Sequence, residues 1–65
     1  MRHLIAYDIA DPHRLRKAHR YLIQHAIPLQ NSVFLHIGSS DQARQCFEIL
    51  CKMLNAKQDN LRCYP

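Results

Sequence analysis

Asp8 and Asp11 are the side chains of this 65-residue sequence whose type and setting point first to chemistry. Asp8 follows a run of strand formers, His3-Leu4-Ile5-Ala6-Tyr7, and Ile9 comes after it. This composition predicts a strand buried on both faces. A carboxylate at the end of such a strand is poorly solvated unless a cation or a hydrogen-bond donor meets it. Periodicity alone favours a structural role for Asp8, accepting bonds from a loop or pairing with an arginine. Asp11 precedes Pro12 and reads as a helix cap. One or two carboxylates do not enclose Mg²⁺, yet that ion commonly takes only one or two, plus waters and phosphate oxygens. If a dimer axis brought two copies of Asp8 together, a metal would also relieve their repulsion.

The second chemical feature is a cluster of cations. The formal net charge is +4, and no Asp or Glu occurs from Pro12 through Ser40, where Arg14, Arg16, Lys17 and Arg20 all lie. At about 100° per residue, Leu15, Ala18, Leu22 and Ala26 share a core-facing stripe, while His13, Arg16, Lys17, Arg20 and Gln24 fill the opposite sector. Arg14 flanks that sector beside Tyr21. A solvated helix face is the ordinary meaning of such a run. Here no acid is available for i,i+4 pairing, and clustered basic side chains on one helix side are the footprint of phosphate contacts, so a nucleic acid partner is favoured.

Other chemistries find no support. His13, His19 and His25 recur every six residues, about 240° apart on a helix, so they share no face and lack zinc-ligand spacing. No Ser/His/Asp or Cys/His arrangement, P-loop or dinucleotide fingerprint occurs. The single glycine, Gly38, excludes a glycine-rich phosphate cradle.

The elements that must position these groups fit one small domain, residues 1–65. Asp11-Pro12 starts a helix that stops near Ala26, because Pro28 disfavours helical geometry at Ile27. A short strand and bend over Pro28–Ser32 leads into Val33-Phe34-Leu35-His36-Ile37. That strand alternates, with Ser32, Phe34 and His36 expected on the open sheet face. Ser39 or Ser40 caps a second helix, and Ser39 with Gln42 fits a capping box. Its buried stripe is Ala43, Cys46, Phe47, Leu50 and Leu54, and Arg44, Glu48 and Lys52 are spaced to pair outside. A polar link, Asn55 to Asn60, precedes a last strand, Leu61–Pro65. The order predicts an α+β, ferredoxin-like β-α-β-β-α-β sandwich: an antiparallel sheet with two helices on one face.

A chain this short buries only about 60% of its unfolded surface, and its uncovered sheet face needs a cover, so a homodimer is expected. Three cysteines without ligand or disulfide spacing fit a reducing, cytoplasmic setting. No apolar run reaches membrane-spanning length.

Taken together, Ala6-Tyr7-Asp8-Ile9-Ala10-Asp11-Pro12, Arg14-Leu15-Arg16-Lys17, Gln30-Asn31-Ser32-Val33-Phe34 and Asp59-Asn60-Leu61-Arg62-Cys63-Tyr64-Pro65 resemble the CRISPR-associated protein 2 family, in order over nearly the whole chain. The resemblance implies a ferredoxin-like homodimer. It also implies metal-dependent endonuclease activity toward single-stranded RNA or double-stranded DNA, with Mg²⁺ or Mn²⁺ near paired aspartates matching Asp8. A role in spacer acquisition and antiviral defence follows, bridging integrase subunits of the CRISPR-associated protein 1 family. Tyr7 matches the aromatic neighbour of the metal aspartate, and Ser32 and Phe34 match the Ser-Val-Phe strand. Arg14, Arg16 and Lys17 fall in the basic helix start. Asn31 stands where the family often has tyrosine or a basic residue, and family members normally continue past the position of Pro65 into a further strand. A non-catalytic DNA scaffold for the integrase is the alternative. A toxin-like ribonuclease resembling virulence-associated protein D is a third.

Overall fold

The computed structural model describes residues 1–65. Its elements run β1 (Arg2–Asp8), α1 (Pro12–His25), β2 (Ile27–Gln30), β3 (Val33–Ile37), α2 (Ser40–Met53) and β4 (Asn60–Tyr64). The strands form one antiparallel sheet in the order β2-β3-β1-β4. Both helices pack on one of its faces, which is the ferredoxin-like arrangement that the element order predicts.

Local side-chain chemistry accounts for the helix ends. The Asp11 carboxylate accepts the Arg14 N–H at 2.9 Å, and Pro12 occupies the first turn, where its missing N–H costs nothing. α1 ends at His25 with Ala26 as its C-cap. At α2, Ser39 Oγ accepts the Gln42 N–H at 3.1 Å while Gln42 Oε1 accepts the Ser39 N–H at 2.9 Å. A Cβ on Gly38 would collide with that Gln42 oxygen, so glycine leaves the cap its space. Pro28 is tolerated because β2 is an edge strand.

The core joins Ile5, Tyr7 and Phe34 from the sheet to Ala18 and Leu22 of α1 and Cys46 and Leu50 of α2. Several expectations change here. β1 is buried on one face only: Ile5 and Tyr7 are covered by the helices, whereas Leu4 is 36% exposed on the other side and Asp8 is exposed. In β3 the alternation holds but the sides are exchanged. Phe34 and His36 lie under the helices, and Val33, Leu35 and Ile37 take the open face. A period of two separates two sets of side chains without saying which set the helices cover, and both sets are largely apolar in this chain. Leu15 is half-exposed at the rim of α1, leaving Ala18 and Leu22 as its buried residues. On α2, Arg44 reaches Asp41 at 3.9 Å rather than Glu48.

Candidate functional site

The open face of the sheet can be followed row by row through the strand registers. Ile27, Leu35, Leu4 and Tyr64 stand side by side across the four strands. Val33, Ala6 and Arg62 form the next row, and Asp8 with Asn60 ends the face. Arg2 and Ile37 close its other end. Ile27 (49% exposed), Ile37 (59%) and Tyr64 (46%) leave it an apolar surface with a charged rim.

Asp8 is therefore not the poorly solvated acid that a doubly buried strand implied. Its carboxylate is exposed and makes no ion pair within the protomer. Asn60 stands directly opposite, and Arg62 is the diagonal neighbour, at a Cβ separation of roughly 7 Å in such a register. Asp8 and the Asn60 side-chain carbonyl offer hard oxygen donors, the kind Mg²⁺ prefers over nitrogen or sulfur. Nowhere in a protomer do three His, Cys, Asp or Glu side chains converge on one point. A divalent cation would thus take its remaining ligands from water, a phosphate or a second protomer.

The basic sector sits elsewhere. Arg16, Lys17 and Arg20 are exposed on the solvent side of α1, the helix that covers the opposite face of the sheet from Asp8. Arg16, His19 and Arg20 border a surface recess of about 620 Å³ together with Tyr7 and Asn31. Lys17 and Arg20 border a smaller one with Tyr21 and Gln24.

Arg14 departs from this group. Its Nε donates to Asp59 Oδ2 at 2.8 Å, and Nη2 donates to Asp59 Oδ1 at 3.2 Å and to Gln58 Oε1 at 3.0 Å. The Asp59 side chain is shielded from solvent and also accepts the N–H groups of Ala10 (3.0 Å) and Asn55 (2.8 Å). One carboxylate thus ties together the end of β1, the start of α1 and the entry to β4, and Arg14 is its counter-ion. The hydrogen bond from Arg14, with further ones from the Asn55 and Ala10 amides, holds the Asp59 carboxyl far below its ordinary 3.8 against the opposing effect of burial. A carboxyl held low contributes stability in full above its unfolded-state value and loses it as pH falls through the folded one. Asp59→Asn should lower Tm by several degrees at neutral pH and flatten its decline below pH 3.8. Thermal unfolding across that range checks it, and parallel Tm profiles for the two proteins would contradict it.

The three supporting residues act from within the fold. Phe34 is a fully buried core ring stacked near Tyr7, with centroids 6.1 Å apart. The buried Tyr7 donates its hydroxyl to Asn31 O at 3.2 Å, and its N–H donates to Ser32 O at 3.1 Å. Together they pin the β2–β3 turn against the end of β1, one residue before Asp8. Burial keeps the Tyr7 phenol above its ordinary value, so it stays protonated as that donor.

In the sequence, Asp59 and Arg62 stand out only as parts of the C-terminal motif, with no role attached. Asp59 lies in a polar link and finds Arg14 only through a contact 45 residues away along the chain. Arg62 was detectable in principle: Asn60, Arg62 and Tyr64 alternate with Leu61 and Cys63, so a strand there must put an arginine on the face of its even-numbered neighbours.

These features define a small ferredoxin-like domain with a solvated carboxylate on an uncovered sheet face and a cationic helix behind it. The chain belongs to the CRISPR associated protein Cas2 family, whose model matches residues 1–65. It is 48% identical over 62 residues to the CRISPR-associated endoribonuclease Cas2 1 of Nitrosomonas europaea, covering 95% of this chain and 59% of that protein. It is 29% identical over 63 residues to the CRISPR-associated endoribonuclease Cas2 2 of Thermodesulfovibrio yellowstonii, covering 97% and 69%. The chain thus spans well under two thirds of the first of these relatives. Among solved structures, a hypothetical protein from Thermus thermophilus superposes with a TM-score of 0.90 at 30% identity, covering 98% of this chain and 78% of that one. Streptococcus pyogenes Cas2 at pH 6.5 superposes with a TM-score of 0.87 at 26% identity, covering 100% and 84%. No helix of this chain is long and apolar enough to cross a membrane.

Proposed function

We propose that this domain is a CRISPR-associated endonuclease that works as a homodimer, with Asp8 as its metal ligand and catalytic carboxylate. The observation that carries the reading is the Asp8 carboxylate, solvated and without a protein partner, at the edge of an apolar sheet face. Both curated relatives above are named as endoribonucleases, which supports RNA as a substrate. Stacking the open faces of two copies would bury Leu4, Leu35, Ile37 and Tyr64 and bring a second Asp8 to the first. Bound by this pair, Mg²⁺ or Mn²⁺ would supply Lewis-acid polarisation of a phosphodiester and a lowered pKa for water. Arg62 meets the phosphate charge from the same face as Asp8, and Arg16, Lys17 and Arg20 hold the backbone. In spacer acquisition the same dimer would sit between integrase subunits of the CRISPR-associated protein 1 family. The test is cleavage of single-stranded RNA and duplex DNA with and without EDTA. Cleavage should stop on chelation and return with excess Mg²⁺, and cleavage that continues in EDTA would exclude the metal role.

One observation favours a second reading. The basic sector and Asp8 lie on opposite sides of the sheet, so a duplex held along α1 is not delivered to the Asp8 of that protomer. A non-catalytic scaffold would use α1 alone. It predicts salt-sensitive duplex binding with no metal-stimulated cleavage of either substrate.

A further inference from the structure

A surface recess of about 480 Å³ lies between the second half of α1 and the start of α2. Tyr21, Gln24, His25, His36, Gln45 and Ile49 are among its walls, and no Asp, Glu, Lys or Arg lines it. Tyr21 and His25 are one turn apart, with ring centroids 4.3 Å from each other and planes at 33°. Gln42 is occupied by the α2 cap, whereas Gln24 and Gln45 stand on exposed helix positions outside the fold's hydrogen-bond network. His36 is only 6% exposed, and its Nδ1 is buried without a hydrogen-bond partner. A buried polar atom left unpaired is costly enough to need an explanation.

The wall chemistry narrows the occupant. Without a cation the recess does not suit an anion, and without three converging ligand side chains it does not suit a transition metal. Two aromatic rings and two unengaged amides suit a flat, neutral group that stacks and hydrogen-bonds along its edge, which describes a nucleobase. Its surroundings agree. Tyr21 and Gln24 also form the wall of the neighbouring recess that holds Lys17 and Arg20, so a phosphate chain along those two cations passes the mouth of this one.

We propose that the recess between α1 and α2 takes an unpaired nucleobase from a single strand whose phosphates follow Lys17 and Arg20. This rests on reading the α1 sector as the nucleic acid contact, and it makes a single strand the preferred ligand of that surface. Bases of an intact duplex are paired and stacked and cannot enter.

The test is fluorescence anisotropy with a short single-stranded RNA and with the same sequence annealed to its complement, at one salt concentration. The variants are the double substitution Gln24→Ala with Gln45→Ala, and separately His25→Ala. All three positions are exposed, and an unchanged Tm verifies the fold. Each variant should bind the single strand about tenfold more weakly, the order expected for one lost base contact, with duplex affinity unchanged. An RNA series carrying one abasic position should locate a nucleotide whose removal weakens wild type by the same factor and leaves the double variant unaffected. Wild-type affinity for the single strand in both variants, or equal losses for both nucleic acids, would overturn the proposal. The α1 reading is separable: Arg16→Ala, Lys17→Ala and Arg20→Ala combined should weaken binding to both forms. If that triple variant weakens both while the recess variants change nothing, only the recess is refuted. If the triple variant changes neither, both readings fall.

Discussion

Asp8→Asn should reduce cleavage of RNA or DNA by about 10³-fold or more: in the proposed role Asp8 is a metal ligand, and losing one forfeits several kcal/mol of charge stabilisation at the reacting phosphate. The substitution keeps the side chain's size and polarity and takes away only its charge. Asp8 is exposed and unpaired within the protomer, so folding stability should move by less than about 0.5 kcal/mol. Nucleic acid affinity should barely change, since the cations on α1 are on the other side of the sheet. Rate, Tm and affinity measured on one preparation separate a lost catalytic group from a damaged fold. Cleavage at the wild-type rate would remove Asp8 from the chemistry and leave the scaffold reading standing.

The second large effect belongs to the charge on α1. On α1 the free cations are Arg16, Lys17 and Arg20; Arg14 is engaged with Asp59 and is not counted. Six phosphate contacts across a dimer predict a slope of about −5 for log affinity against log salt on duplex DNA. Between 50 and 200 mM salt, that corresponds to a loss of roughly 10³ in affinity. Replacing all three residues by Ala should remove most of that slope. A slope nearer −7 in wild type would require about eight contacts, the further two supplied by Arg62 or by Arg14 released from Asp59. A wild-type slope near zero would rule out phosphate binding by this helix.

What sequence could and could not reveal follows from the range of each interaction. The start of α1 at Asp11-Pro12 and the α2 capping box were legible because an N-cap bonds a residue three positions along, within reach of a local pattern. The end of α1 before Pro28 was legible for the same reason. The strand order follows from element order by topology. What was hidden is which side of the sheet the helices cover. Phe34 and Leu35 are both large and apolar, and only packing against Leu22 and Leu50 decides that Phe34 goes inside. The misplaced burial of Asp8 has the same origin, since a strand that is apolar on both faces looks alike whether its second face meets a helix or a second copy. Arg14 shows the opposite limit. Its position among the cations was correct, but its partner Asp59 lies 45 residues away, and nothing local marks that pairing.

Catalysis as proposed needs two copies of Asp8, joined across the open face that Leu4, Leu35, Ile37 and Tyr64 line. The most direct test is cleavage per protomer in Mg²⁺ as protein is diluted, alongside the dimer fraction from sedimentation velocity in the same buffer. Activity per protomer should fall in step with the dimer fraction. Undiminished activity per protomer at concentrations where only monomer sediments would contradict the claim.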